Sequence, residues 1–386
     1  MEYYIDCGYA TMNKHGEELC GDRVQIVEFG DTKTLVLADG MGSGVKANIL
    51  STMAAKMLST MVSNGVPIDE CVEILTETLP INREVGLNYC TFTIIHTYKS
   101  GRGVIYEFDN PQAIFYHKGR CCDLERERRE IVGETVYRSV FQLEPLDYIM
   151  TMSDGVIFAG PDDTFNYHWQ RKEVIDFLNR RSQDNMSASV VSAVLGGACM
   201  ALYAGHPRDD TTIAAVKAFT PYRVALMVGP PLDMENEDTH IRRFLDFDGC
   251  HIVCGGTTAE LVARMLGKDI EPEHYTDDPE VPPISHIEGI DLVTEGALTM
   301  AKLARLSDEY LDPYALEGRK YNKANGASMI ASILFEKASD ITFFIGRAVN
   351  AAHVGTIADA TVKTKAIAHL CRNLRKMGKK VNEIYH

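Results

Sequence analysis

Two strongly apolar runs of this chain end in the same dipeptide. TLVLADGMGSG (34–44) and YIMTMSDGV (148–156) each carry a strand-length hydrophobic stretch into Asp-Gly, at Asp39-Gly40 and Asp154-Gly155. Two more acidic turns accompany them, Gly21-Asp22 and the Asp209-Asp210 pair in GHPRDDTT (205–212). A strand end fixes a carboxylate at the rim of a sheet, and a following glycine lets the backbone turn so that a carbonyl reaches inward. Hard divalent cations take oxygen ligands of this type. Two ions sharing one carboxylate lie about 3.5–4 Å apart and bring the pKa of a shared water toward neutrality. Such a centre needs no serine, cysteine or histidine nucleophile. Asp-Gly is also an ordinary turn dipeptide, and any single occurrence reads as a turn. The fourfold recurrence keeps the metal reading open beside that one.

The surrounding pattern supplies the strands. Val24–Phe29 and Lys33–Ala38 read as a hairpin joined at Gly30-Asp31-Thr32, and a helix is expected from Gly44. Its apolar positions Val45, Ile49, Met53, Met57 and Met61, widened by Leu50 and Leu58, are expected to form its buried stripe, with Gly65 and Pro67 stopping it. A second helix is expected over Ile68–Leu79. Strands follow at Cys90–Thr97, Gly103–Phe108, Ala113–His117, Val136–Leu143 and Tyr148–Ser153, with helices at Arg171–Arg180 and Ser187–Tyr203 and a strand at Thr212–Lys217. The expected fold is a layered αββα arrangement of the α+β class, a β-sandwich flanked by helices, over residues 1–218.

From Phe219-Thr220-Pro221 the rhythm changes to strand, glycine turn, helix. Val224–Val228, His251–Cys254, Ile290–Thr294 and Ile341–Ile345 each run into a glycine-bearing turn. That alternation predicts a smaller α/β domain with a parallel sheet over 219–386, with Asp269–Pro283 as a loop inside it. Gly255, Gly256, Thr257 and Thr258 open a helix after a strand, where an anion is sometimes received. An ordinary strand-to-helix turn is the favoured reading of them. A regulatory or substrate-presenting role for this half is an expectation from its position.

Charge bears on partners. The formal net charge of −15 over 386 residues excludes a general nucleic-acid binder, which needs cationic surface to displace counterions. The ten cysteines show no paired C-x-x-C spacing and read as reduced core thiols of a cytoplasmic protein. No apolar stretch has the length of a membrane span, and the first ten residues do not form a secretory signal.

Gly21-Asp22, LADGMGSGVKA (37–47), MSDGV (152–156) and DDTT (209–212) resemble, in order and spacing, the motifs of the metal-dependent 2C-type protein phosphatases (PPM). The resemblance is strongest to the bacterial branch typified by stage II sporulation protein E and covers about residues 15–218. It implies a phosphoserine or phosphothreonine phosphatase using two Mn²⁺ or Mg²⁺ ions. By carry-over Asp39 bridges both ions, the Gly40 carbonyl helps bind one, and Asp154 and Asp209 hold the other. Asp22 is a ligand or orients bound water, and Asp210 is able to exchange roles with Asp209. The same four aspartates, Asp22, Asp39, Asp154 and Asp209, are the candidate catalytic residues. The implied substrate is a phosphorylated regulatory protein akin to an anti-sigma factor antagonist. The first two helices, Gly44–Leu79, are the implied switch between activity and regulation. The eukaryotic branch carries a glutamate where this chain has Gly21, and its phosphate-gripping arginine has no clear counterpart here.

Two other function classes stand beside this one. A catalytically silent phosphatase-like binding module would keep the fold without the chemistry. A nucleotide-binding ATPase or kinase would use DGMGSG as a phosphate cradle, but Lys46 is not placed as in G-x-x-x-x-G-K-[ST]. His96, His117, His168 and His206 share no metal spacing. The run Arg126–Arg129 reads as a solvated, charge-alternating face. Trp169 carries no functional signal by itself.

Overall fold

The computed structural model describes residues 2–78, 90–161, 169–182, 186–231, 237–273, 283–315, 325–346 and 357–385, with backbone alone for 357–362. Leu79, His168 and residues 274–282 of the expected acidic loop lie outside the described residues. The chain divides into two compact units. One comprises Met1–Thr220 with Pro313–Glu317, the other Pro221–Asp312 with Gly318–His386.

The first unit begins with β1 (Tyr4–Met12), β2 (Asp22–Phe29) and β3 (Thr32–Gly40), followed by α1 (Gly44–Ser63) and α2 (Ile68–Thr78). Then come β4 (Cys90–Tyr98), β5 (Arg102–Phe108), β6 (Ile114–His117), β7 (Arg120–Cys122), β8 (Glu127–Ile131), β9 (Glu134–Gln142) and β10 (Tyr148–Met152). The unit continues with α3 (Asp154–Ile157), α4 (Arg171–Arg181), α5 (Ala188–Leu202) and β11 (Thr211–Phe219). Two antiparallel sheets result, β1-β11-β10-β6-β7 and β2-β3-β4-β5-β9-β8.

Alternation along the strands sorts the core into layers. Leu35 and Leu37 of β3 face Ile149 of β10 and Val216 of β11 in one cluster shared by both sheets. Val36 and Ala38, one residue out of phase, pack on Leu50, Ala54 and Leu58 of α1. Tyr148, Met150 and Met152 of β10 do the same against Val174 of α4 and Val191 and Leu195 of α5. Both faces of the central strands are therefore dry, which is why TLVLA and YIMTM read as unbroken apolar runs rather than alternating ones. Each such fully buried side chain contributes about 1.5–3 kcal/mol. The layered αββα expectation is met.

Two expectations need correction. The stripe assigned to α1 is not its buried face: Val45, Ile49 and Met53 are 63%, 52% and 39% exposed, and Ala47, Leu50, Ala54, Leu58 and Val62 face the sheet. A strict i+4 series drifts about 40° per step on a helix of 3.6 residues per turn, so it cannot stay on one side. Only its far end, Met57 and Met61, reaches the packed edge. Second, the run around Arg126–Arg129 is not merely a solvated face. Glu127–Ile131 is a strand paired with β9, and Arg126 stacks over Tyr137 at 3.8 Å and ion-pairs with buried Glu107 at 3.1 Å. His117, at the end of β6, is held at 2.7 Å by the buried carboxylate of Asp147.

The second unit contains β12 (Arg223–Val228), α6 (Glu237–Leu245), β13 (Cys250–Cys254), α7 (Gly256–Leu266), β14 (Glu271–Pro272), β15 (Ser285–Ile287) and β16 (Ile290–Thr294). It ends with α8 (Ala297–Leu311), α9 (Gly326–Ala331) running into a π-helical turn (Ser332–Lys337), β17 (Asp340–Ile345), α10 (Ile357–Lys376) and β18 (Lys380–Tyr385). The sheet order is β14-β15-β16-β13-β12-β17-β18, parallel from β16 to β18, with the short β14 and β15 antiparallel at one edge. Ala225 and Met227 pack on Phe244 of α6 and Val262 of α7. The alternate residues Val224, Leu226 and Val228 are buried as well, so both faces are covered. Among the described residues no helix is long and apolar enough to cross a membrane.

Candidate metal centre

The β2–β3 hairpin places Asp22 directly opposite Asp39 in its register. In the other sheet β10 and β11 are antiparallel neighbours, with Met152 opposite Ile213. Asp154, just after β10, and Asp209, just before β11, therefore lie at one end of that sheet. Side chains tie this end to the hairpin end of the first sheet. Ser153 Oγ donates to Asp22 Oδ2 at 2.7 Å and accepts from the Thr212 backbone N–H at 2.8 Å. Asp210 Oδ2 accepts from the Gly21 N–H at 2.8 Å, and its Oδ1 from the Lys14 N–H at 3.0 Å. The sequence-predicted Asp22, Asp39, Asp154 and Asp209 are thus brought to one end of the sandwich.

Glycines make the approach possible. A Cβ at Gly40 would collide with the carbonyl of Ala47 in the first turn of α1, and one at Gly155 with the carbonyl of Asp210. A Cβ at Gly21 would stand 2.7 Å from Asp210 Oδ2. With both oxygens bound to backbone amides, Asp210 ties the loops at Lys14 and Gly21.

The electrostatics are those of a crowded acidic set. Burial, with the charges of Asp22, Asp154 and Asp209, pushes the Asp39 carboxyl up to about 9. Burial pushes Asp22 up to about 7, against the opposing hydrogen bond from Ser153. Asp154 and Asp209 are raised by burial too, Asp154 also by the charge of Asp209, while Lys14 partly offsets the effect at Asp209. The second oxygen of Asp22, Oδ1, is buried without a hydrogen-bond partner. A dense carboxylate set with an orphaned oxygen suits a hard divalent cation. Among the described residues, however, no three histidine, cysteine, aspartate or glutamate side chains close on a common point as a finished metal cage would. Cys20 and Cys90 lie beside the set, and burial and the aspartate charges push both thiols above their ordinary value, so they are poor nucleophiles.

Sequence reasoning missed the positioning residues. Ser153 stands inside the MSDG motif and Thr212 inside DDTT, yet their link is visible only across the two sheets. Trp169 Nε1 donates to the Val156 carbonyl at 2.9 Å and Tyr203 Oη to the Gly155 carbonyl at 2.7 Å, together pinning the turn that carries Asp154. The pairing of two bonds on one hydroxyl makes a prediction. Ser153→Ala leaves the Thr212 N–H and Asp22 Oδ2 without that partner, which costs about 1–3 kcal/mol in urea denaturation.

Residues 30–219 match the sequence model of the family described as Stage II sporulation protein E (SpoIIE). The Stage II sporulation protein E of Priestia megaterium is 23% identical over 235 residues, 56% of this chain and 36% of that protein. That of Bacillus subtilis (strain 168) is 24% identical over 229 residues, 56% of this chain and 26% of that protein. The chain therefore spans well under half the length of these curated relatives. Among solved structures, the PP2C phosphatase domain and a fragment of the regulatory domain of SpoIIE from Bacillus subtilis is 17% identical, with a TM-score of 0.48. That match covers 56% of this chain and 64% of that one. The match over residues 30–219 covers most of the first unit, which is in this sense similar to the family described as Stage II sporulation protein E.

Proposed function

We propose that the first unit is a divalent-cation-dependent phosphatase that removes phosphate from serine or threonine of a bacterial regulatory protein. The observation that carries this reading is the gathering of Asp22, Asp39, Asp154 and Asp209 at one end of two sheets, close enough that the charges of the other three raise the pKa of Asp39. Asp39 is the proposed bridge between two Mn²⁺ or Mg²⁺ ions, with Asp22, Asp154, Asp209 and the Gly40 carbonyl as the other donors. Ions bound there would supply an acidified water and positive charge against the phosphoryl oxygens. The chain's own contribution is placement. Ser153 occupies one oxygen of Asp22 and leaves Oδ1 to face the ions, while Asp210 anchors the loops that frame the site. Binding would draw the carboxylates together and relieve their repulsion. A substrate akin to an anti-sigma factor antagonist is proposed from the family resemblance.

The test is hydrolysis of p-nitrophenyl phosphate and of a phosphoserine peptide with Mn²⁺. Activity is expected to vanish with EDTA and in Asp154→Asn. Turnover that survives EDTA would exclude this chemistry. One observation favours a second reading: among the described residues no three carboxylates close on a common point, as would suit a phosphatase-like binding module. A folded protein that hydrolyses neither compound at any Mn²⁺ concentration would select that alternative.

A further inference from the structure

In the second unit four neighbouring parallel strands stop at one level. Thr294 of β16 pairs with Cys254 of β13, Cys254 with Val228 of β12, and Val228 with Ile345 of β17. On the last three strands the next residue is glycine: Gly255, Gly229 and Gly346. Gly255 and Gly229 have φ of +117° and +81°, which other residues rarely adopt, and a Cβ at Gly346 would collide with the carbonyls of Gly229 and Pro230. The centre of the sheet therefore presents bare backbone along its carboxyl edge.

Counted by their appearance in the chain, the parallel strands lie in the order third, second, first, fourth, fifth, and β12 and β17 are the pair where the order reverses. Sheets of this kind bind ligands in the crevice outside the carboxyl ends of that pair. A lysine stands at this crevice. The Lys363 ammonium reaches over it from α10, 3.5 Å from the Gly346 carbonyl and against the turn at Gly229. Among the described residues no carboxylate pairs with it, and burial lowers its pKa. Glu295 follows Thr294 on the outer side and lies near Gly256.

We propose that this crevice binds a phosphate-bearing small molecule of the mononucleotide class, its phosphate at Lys363. A lysine serves phosphate as a point charge. The turn after β12 is Gly229-Pro230-Pro231, not G-x-G-x-x-G, and β13 is followed by glycine rather than an acid, so the marks of a dinucleotide site are missing.

Thermal unfolding of the full chain tests this, in EDTA and with Asp154→Asn so that the first unit's site is disabled. The probes are AMP, inorganic phosphate and adenosine. AMP is expected to raise the melting temperature. Lys363→Met is expected to keep the unliganded melting temperature and bind AMP at least about tenfold more weakly. Lys363→Gln replaces it should the methionine variant fail to fold. A response to inorganic phosphate alone supports recognition through the phosphate, and a response to AMP alone supports recognition of the whole nucleotide. No response to AMP or phosphate at millimolar concentration overturns the proposal. So does adenosine acting as strongly as AMP, or a full AMP response in the lysine variants. Hydrolysis by the wild-type chain is read separately, so the phosphatase reading stands or falls on its own result.

Discussion

Asp39→Asn is expected to abolish Mn²⁺-dependent hydrolysis and, in the same protein, to raise the melting temperature of the metal-free chain at pH 8. The two effects have one cause. Asp39 is largely buried and feels the charges of Asp22, Asp154 and Asp209, so its carboxyl is pushed up to about 9. Without a cation, ionising it works against folding. Asparagine keeps the shape and removes the charge, which relieves that strain. With metal the balance inverts, because the bridging position is proposed to carry charge stabilisation worth several kcal/mol. At 1.36 kcal/mol per factor of ten, its loss lowers the rate by about a hundredfold or more. Steady-state assays and melting in EDTA check the pair. A variant that loses activity and also melts lower in EDTA would mean that Asp39 holds the fold rather than ions.

The second large effect is on pH dependence. Folding raises Asp22 from 3.8 to about 7 and Asp39 from 3.8 to about 9. Between about pH 4 and 9 the folded chain therefore holds protons that the unfolded chain has released. Their contribution to stability is fully present below about pH 4 and is lost as pH rises through 7 to 9. Urea midpoints of the metal-free protein are expected to fall from pH 5 to pH 8, and less steeply in Asp39→Asn. Saturating Mn²⁺ is expected to reverse the trend, because it binds the ionised carboxylates of the folded state alone. A wild-type midpoint in EDTA that does not change over this range, or changes identically in the variant, would refute the crowded-carboxylate account.

Much of the candidate site was legible because its markers are local. Apolar strand, aspartate and glycine are contiguous in TLVLADG and YIMTMSDG, and each reads without knowledge of the partner strand. What was not legible depended on partners far along the chain. β1 pairs with β11, so Tyr4 meets Phe219, and nothing within MEYYIDCGYA announces that partner. The α1 face was misjudged because apolar residues occupy both sides of that helix. Small Ala47 and Ala54 won the buried side, a close-packing outcome that size-weighted reading ranks last. Glu127–Ile131 joins a sheet despite its charges because its solvent-facing side chains pair across β9, as Glu127 does with Arg138 at 3.1 Å.

By itself the amino-acid order determined the strands that end in aspartate, the alternating rhythm of the second half and the acidic character of the chain. Hydrophobic period and turn chemistry act over a few residues, so they survive in a linear reading. Tertiary structure alone decided that Ser153 bridges Asp22 to Thr212, that Asp210 is a tie between loops, and that Gly229, Gly255 and Gly346 share one edge with Lys363 above them. Those outcomes depend on sheet order and register, which are set by which buried faces fit together rather than by any local run of residues.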